Sequence, residues 1–210
     1  MTRISRSAWP TARGNQPSRT AGFSLLELVI VLVIVLLLSS MYWGTTSRSN
    51  QVRQQKNCQK NLQKIYIALE IFAADHQENY PVVPGARTPG EALDGLVPRY
   101  TADTGVFVCP GGKGPILPAG ESIAKRKISY AYYMGRRRPA VADVLMSDQQ
   151  VDALAKSARQ LAFSAAGEAP GNNHGRFGGN FLFGDGHTEL TPARVPFPLV
   201  LSPGVVLLNP

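Results

Sequence analysis

The chain reads as an α+β protein, a long amino-terminal helix packed on a small antiparallel sheet. Three observations carry this. Leu28 to Leu38 are aliphatic without a break, and with their neighbours they extend the apolar stretch from Phe23 to Trp43. Further on, Leu62, Ile65, Tyr66, Leu69, Phe72, Ala73 and His76 recur at three- and four-residue spacings, the stripe of an amphipathic helix. Finally, Phe181-Leu182-Phe183 and His187-Thr188-Glu189-Leu190 flank Gly184-Asp185-Gly186, a hairpin pattern.

The first of these sets the organisation. A helix over residues 23–43 is about 30 Å long at roughly 1.5 Å per residue, the thickness of a bilayer's hydrocarbon core. Its anomaly is Glu27. An acid at the centre of a spanning helix costs about 2.5–3.5 kcal/mol, less towards an end, so its presence needs a reason. Ahead of it, residues 1–22 contain Arg3, Arg6, Arg13 and Arg19, no acid, and Pro10 and Pro17. Such a basic leader stays on the cytoplasmic side. A secretory signal is cut after its apolar region. Here the small residue suited to cleavage, Gly22, precedes that region instead.

Gly22-Phe23-Ser24-Leu25-Leu26-Glu27-Leu28-Val29-Ile30 resembles the leader junction of type IV pilins and type II secretion pseudopilins. The resemblance implies that prepilin peptidase cuts between Gly22 and Phe23 and methylates the new amino group of Phe23. It also implies that Glu27 pairs with the amino terminus of a neighbouring Phe23 as the subunit enters a filament. A partner charge supplied on assembly makes the buried carboxylate tolerable. The expected organisation is a leader (1–22), a transmembrane half-helix (23–43), a periplasmic half-helix (44–79) and a globular head (80–210) with a carboxy-terminal hairpin and tail.

Composition bounds the rest. The formal charge of +8 includes the four leader arginines; the mature form carries 18 basic and 14 acidic side chains, too mild a balance to argue for nucleic acid. Cys58 and Cys109 are the only cysteines. With the leader inside, they lie in the periplasm, where a disulfide can form and contribute about 4 kcal/mol on the chain-entropy account. Two buried free thiols are the alternative. The sequence shows neither a C-x-x-C pair nor a Cys/His cluster, which argues against zinc.

Along the chain, Arg53, Lys56, Lys60 and Lys64 mark the polar face of the periplasmic half-helix, with Cys58 on the apolar stripe. The helix is expected to run to about Glu78, stopped by Asn79-Tyr80-Pro81. Glu91–Tyr100 reads as a short helix, Val106–Pro110 as a short strand, and Ile128–Met134 and Val141–Ser147 as strands. Gln149–Ala166 reads as an amphipathic helix, and the tail from Pro192 as an edge or loose segment.

Tyr80-Pro81, Leu96–Tyr100, Phe107–Pro110, Asn173-His174 and Phe181–His187, in that order, resemble pseudopilin-like proteins with a carboxy-terminal His-x9-Asp-Gly motif. Here ten residues rather than nine separate His174 from Asp185. Resemblance to major pseudopilins also suggests a calcium site in a late loop, for which Asp148, Asn173 and Asp185 are the candidates. The other account of these residues is an Asp-Gly turn with polar neighbours. His76 reads as a packing or capping residue. A triad of His174, Asp185 and Ser164 or Ser147 lacks the Gly-x-Ser-x-Gly elbow, so an enzyme is not expected. Arg136-Arg137-Arg138 and Lys125-Arg126-Lys127, near Tyr130, Tyr132 and Tyr133, are either a basic aromatic patch for DNA or a solvated loop.

The expected function is therefore structural: a filament subunit of a type II secretion-like or type IV pilus-like system. Its partners are copies of itself and other pseudopilins, prepilin peptidase and an inner-membrane assembly platform. It is placed as a single-pass inner-membrane protein, amino terminus cytoplasmic and head periplasmic, without an obligate cofactor. The alternative is a minor pilin acting as adhesin or DNA-uptake module.

Overall fold

The computed structural model describes residues 24–112, 114–115, 117–137 and 140–210, leaving aside the side chains of residues 42–48. The chain divides into two compact units, residues 1–44 and 45–210. Helix α1 (Leu25–Asp75) contributes to both.

In the second unit, the stripe behaves as its spacing dictates. Cys58, Leu62, Ile65 and Leu69 are wholly buried, while Arg53, Lys56, Lys60 and Lys64 face solvent. Burying each large aliphatic contributes about 1.5–3 kcal/mol. The helix stops before the proline expected to end it. Gln77 and Glu78 adopt φ of 55° and 62°, and Glu78 N–H donates to the Ala73 carbonyl, so a left-handed turn closes the last carbonyls. His76 caps this end. Its Nδ1 lies 2.8 Å from the Phe72 carbonyl and its ring stacks on Phe72.

Helix α2 (Pro89–Leu93) starts earlier than the sequence suggested, because Thr88 and Glu91 form a reciprocal capping box with Pro89 in the first turn. It gives way after Leu93 to a 3-10 turn, Asp94–Leu96. The strand expected at Val106–Pro110 is absent. Thr104–Phe107 is a 3-10 turn whose N–H groups bond locally, Val106 to Asp103 and Val108 to Gly105, while Asn61 takes the Val108 carbonyl. Val106 and Phe107 bury their side chains without a neighbouring strand, and so short an apolar run does not distinguish the two outcomes.

Among the described residues five strands form one antiparallel sheet: β1 (Tyr130–Met134), β2 (Val144–Asp148), β3 (Gly179–Phe183), β4 (Thr188–Thr191) and β5 (Val206–Leu208), in the order β4-β3-β2-β1-β5. The fold is α+β and consistent with a pilin-like head. The hairpin β3–β4 turns at Gly184–Gly186, where Gly186 has φ of 84°. A Cβ there would lie 2.5 Å from the Tyr66 ring. The tail supplies β5 and thus becomes an edge strand.

Strands β1, β2 and β3 are buried along their whole lengths, so both sheet faces are covered. Tyr130, Tyr132 and Met146 pack with the α1 stripe. Ala131, Tyr133, Phe181 and Phe183 pack on the other side with Phe163, Val195 and Leu199. That second layer replaces the helix expected over Gln149–Ala166. Its backbone pairs with the tail instead: Lys156 and Leu199 exchange two hydrogen bonds, Val195 N–H donates to Gln160, and Ala162 N–H to Ala193. A distant chain segment outbid the local ladder, the usual way tertiary context overrides helical periodicity.

Candidate functional site

Two features stand out, one in each unit. In the first, α1 opens at Leu25, with the Leu28 N–H donating to the Ser24 carbonyl at 3.1 Å. Glu27 sits in the first turn, where a carboxylate meets the positive end of the helix dipole. Gly22 and Phe23, the expected cleavage and methylation residues, lie outside the described residues. Every side chain from Leu28 to Leu38 is 47–65% exposed. A helix apolar on all sides has no stable place in water, so this sleeve needs an apolar surrounding supplied from elsewhere. Among the described residues no helix is long and apolar enough to cross a membrane. The apolar stretch expected over 23–43 runs past the described side chains at both ends.

In the second unit a buried polar centre lies against the junction of helix and sheet. Cys58 of α1 and Cys109, which follows the 3-10 turn, form a disulfide. Asp148, at the end of β2, is 1% exposed. Its Oδ1 accepts from Asn173 Nδ2 at 2.9 Å. Its Oδ2 accepts from the Asn180 backbone N–H at 2.7 Å and from Asn180 Nδ2 at 2.9 Å. His174 Nε2 lies 3.2 Å from the same Oδ2 and 3.5 Å from Cys109 Sγ. Asn173 also donates to the Ser129 carbonyl, and Asn180 to the Gln55 carbonyl on α1. One carboxylate thus ties helix, sheet and loop together through charge-assisted hydrogen bonds. The neighbouring Tyr130 hydroxyl is held neutral well above its usual range, first by burial and then by the Asp148 charge.

This arrangement bears on each residue singled out in the sequence. Of the calcium candidates, Asp148 and Asn173 are brought together, but Asn173 turns its amide N–H rather than its oxygen to the carboxylate, so the pair does not converge its oxygens on one point. Asp185 is elsewhere. It lies in the exposed hairpin turn, accepting from the His187 backbone and ring, and those bonds hold its carboxyl below the usual range. His174 therefore pairs with Asp148 rather than with the Asp-Gly of its own motif. The triad is not assembled: Ser147 Oγ donates to the Asp148 carbonyl, and Ser164 Oγ accepts from the Gly167 and Glu168 N–H groups.

The basic aromatic patch is likewise divided. Lys125, Arg126 and Lys127 are exposed, but Tyr130, Tyr132 and Tyr133 are core residues. Arg136 is buried over Tyr133, with its guanidinium 2.7 Å from Asp143. Arg138 lies outside the described residues. Sequence reasoning missed Asn180 altogether, since an asparagine inside a short strand carries no signal of the carboxylate it will meet.

Residues 17–42 match the family described as the prokaryotic N-terminal methylation motif. The chain is 28% identical over 100 residues to the competence protein ComGC of Bacillus subtilis (strain 168), a match covering 48% of this chain and 91% of that one. No solved structure matches. No catalytic family is among these similarities. The motif and the α+β head agree: the chain carries a prepilin-type N-terminal methylation motif, and its head is consistent with a pilin-like fold.

Proposed function

We propose that the protein is a membrane-anchored filament subunit, cut by prepilin peptidase between Gly22 and Phe23, methylated at Phe23 and assembled through α1. The observation that carries this is the aliphatic sleeve, exposed on all sides and bearing one carboxylate a single turn from its start. Before assembly, lipid covers the sleeve, with the amino terminus cytoplasmic and the head periplasmic. On assembly by an inner-membrane platform, sleeves of neighbouring subunits cover one another. Glu27 then meets the amino group of an adjacent Phe23, which offsets the cost of leaving it in an apolar layer. The disulfide suits an oxidising compartment.

The filament is of the type II secretion or type IV pilus kind. The similarity to a competence protein favours a second reading, a minor pilin serving DNA uptake. Mass spectrometry of the protein from membranes tests the main reading. A mature chain beginning with methylated Phe23 is expected, and a chain beginning at Met1, or one lacking the aliphatic segment, overturns it. Salt-dependent retention on immobilised DNA would favour the second reading.

A further inference from the structure

We propose that Cys58, Cys109, His174 and Asp148 form a zinc site when the two cysteines are reduced, so that the disulfide and a bound Zn2+ are alternative occupants of one buried centre. The inference is independent of the assembly reading. One ligand atom from each of the four residues, Sγ, Sγ, Nε2 and a carboxylate oxygen, lies within 4.8 Å of all the others, and all four residues are buried. Two thiolates, an imidazole and a carboxylate are a donor set that zinc takes in tetrahedral array, with bonds of about 2.0–2.3 Å. The edges of such a tetrahedron are about 3.3–3.8 Å by that geometry. His174 Nε2 already stands 3.2 Å from Asp148 Oδ2 and 3.5 Å from Cys109 Sγ, so two edges are in place. The edges from Cys58 to His174 and Asp148, and from Cys109 to Asp148, lie within 4.8 Å, and the sulphurs must part to non-bonded distance.

The surroundings fit a ligand shell. Asn173 and Asn180 hold the Asp148 carboxylate in place with three N–H bonds, the outer support that metal-bound carboxylates receive. His174 makes its polar contacts through Nε2; Nδ1 has no partner among the described residues. Nε2 is aimed at the sulphur and the carboxylate, with Asn180 Nδ2 a third neighbour at 3.5 Å. A disulfide needs neither group.

The step balances as two reactions. A phosphine gives two electrons to the disulfide and leaves as its oxide, with one water supplying the oxygen and the two thiol protons; a pair of small-molecule thiols gives both electrons and protons and becomes a disulfide. Zn2+ then displaces the two thiol protons, so uptake releases two protons and weakens as pH falls.

The test uses the full chain in detergent. The oxidised protein should take up no Co2+. After phosphine reduction it should bind one Co2+ per chain with the visible spectrum and thiolate charge-transfer bands of a tetrahedral sulphur-containing site, and Zn2+ should displace it. This comparison needs no substitution. Reduction should lower the melting temperature and Zn2+ should restore it. His174→Gln should weaken Zn2+ binding by more than about 100-fold, beyond the effect of losing an outer partner, and the oxidised variant should keep its disulfide. Should that variant fail to fold, a Cys58→Ser chain, retaining one sulphur, should show the same loss. Equal metal uptake by the oxidised protein, an octahedral cobalt spectrum, no thermal rescue by Zn2+, or unchanged affinity in the variants would each overturn the proposal.

Discussion

Helix α1 contains two apolar stretches that meet opposite fates. From Cys58 to Leu69 the stripe of Cys58, Leu62, Ile65 and Leu69 comes at every third or fourth position, with lysines between, and the head covers these four completely while Ile67, off the stripe, stays exposed. From Leu28 to Leu38 they come at every position, and their side chains are left about half exposed. A stripe can be satisfied by one partner surface of the same chain. A sleeve needs surroundings on all sides, which a chain of this size provides only by association or by entering lipid. Periodicity, more than hydrophobicity, separates the part that the chain covers from the part it leaves exposed.

The sharpest way to break that contrast is at Glu27. Glu27→Ala should leave cleavage and the head's stability untouched while reducing filament yield by about tenfold or more, since each 1.4 kcal/mol of lost pairing is a factor of ten. Normal yield in sheared-filament assays would remove the assembly role.

Within the folded stretch the largest effect belongs to Asp148. Asp148→Ala strands the donors of Asn173, Asn180 and His174, and should cost about 3–5 kcal/mol in chemical denaturation of the full chain. A loss below about 1 kcal/mol, the scale of one ordinary hydrogen bond, would mean the centre contributes no more than that.

The tie between α1 and the head comes next. Replacing Cys58 and Cys109 together by serine should lower stability by about 2–4 kcal/mol in metal-free oxidising buffer. An unchanged denaturation midpoint would show that the packing of Leu62, Ile65 and Leu69 suffices alone.

The smallest effect is absent at neutral pH. Burial raises the Tyr130 and Tyr132 hydroxyls above their ordinary range; in Tyr133 burial outweighs the opposing hydrogen bond from Gln150 and pushes the pKa up to about 12. A folded pKa above the unfolded one stabilises the protein below pH 10 and loses that contribution as pH rises beyond it. Alkaline titration should show tyrosinate absorbance of these three appearing together with loss of circular dichroism. Free ionisation near pH 10 in the folded protein would contradict their burial.

Elements whose cues lie within a few residues were legible in the chain. The helical stripe and the Gly184-Asp185-Gly186 hairpin appear as read, and the strand read over Ile128–Met134 forms from Tyr130 onward. Where the sequence misled, a distant partner decided. Gln149–Ala166 has helical spacing, yet its backbone bonds go to the tail near residues 193–199. Val106-Phe107-Val108 has strand composition, yet it turns on itself. The candidate ligands show the same divide. Asp148 and Asn173 are candidates by residue type, but only folding sends His174 to Asp148 instead of to Asp185.

By itself the sequence determined the amino-terminal pattern: four arginines and no acid over residues 1–22, a lone carboxylate at Glu27 and an unbroken aliphatic run from Leu28 to Leu38, because these are contiguous and depend on order alone. The tertiary structure alone decided that Asp148, His174 and Asn180 meet beside the Cys58–Cys109 disulfide, a centre drawn from residues more than a hundred positions apart. A buried carboxylate takes whatever donors the packing of helix and sheet presents to it, and no local pattern in the chain encodes which ones those are.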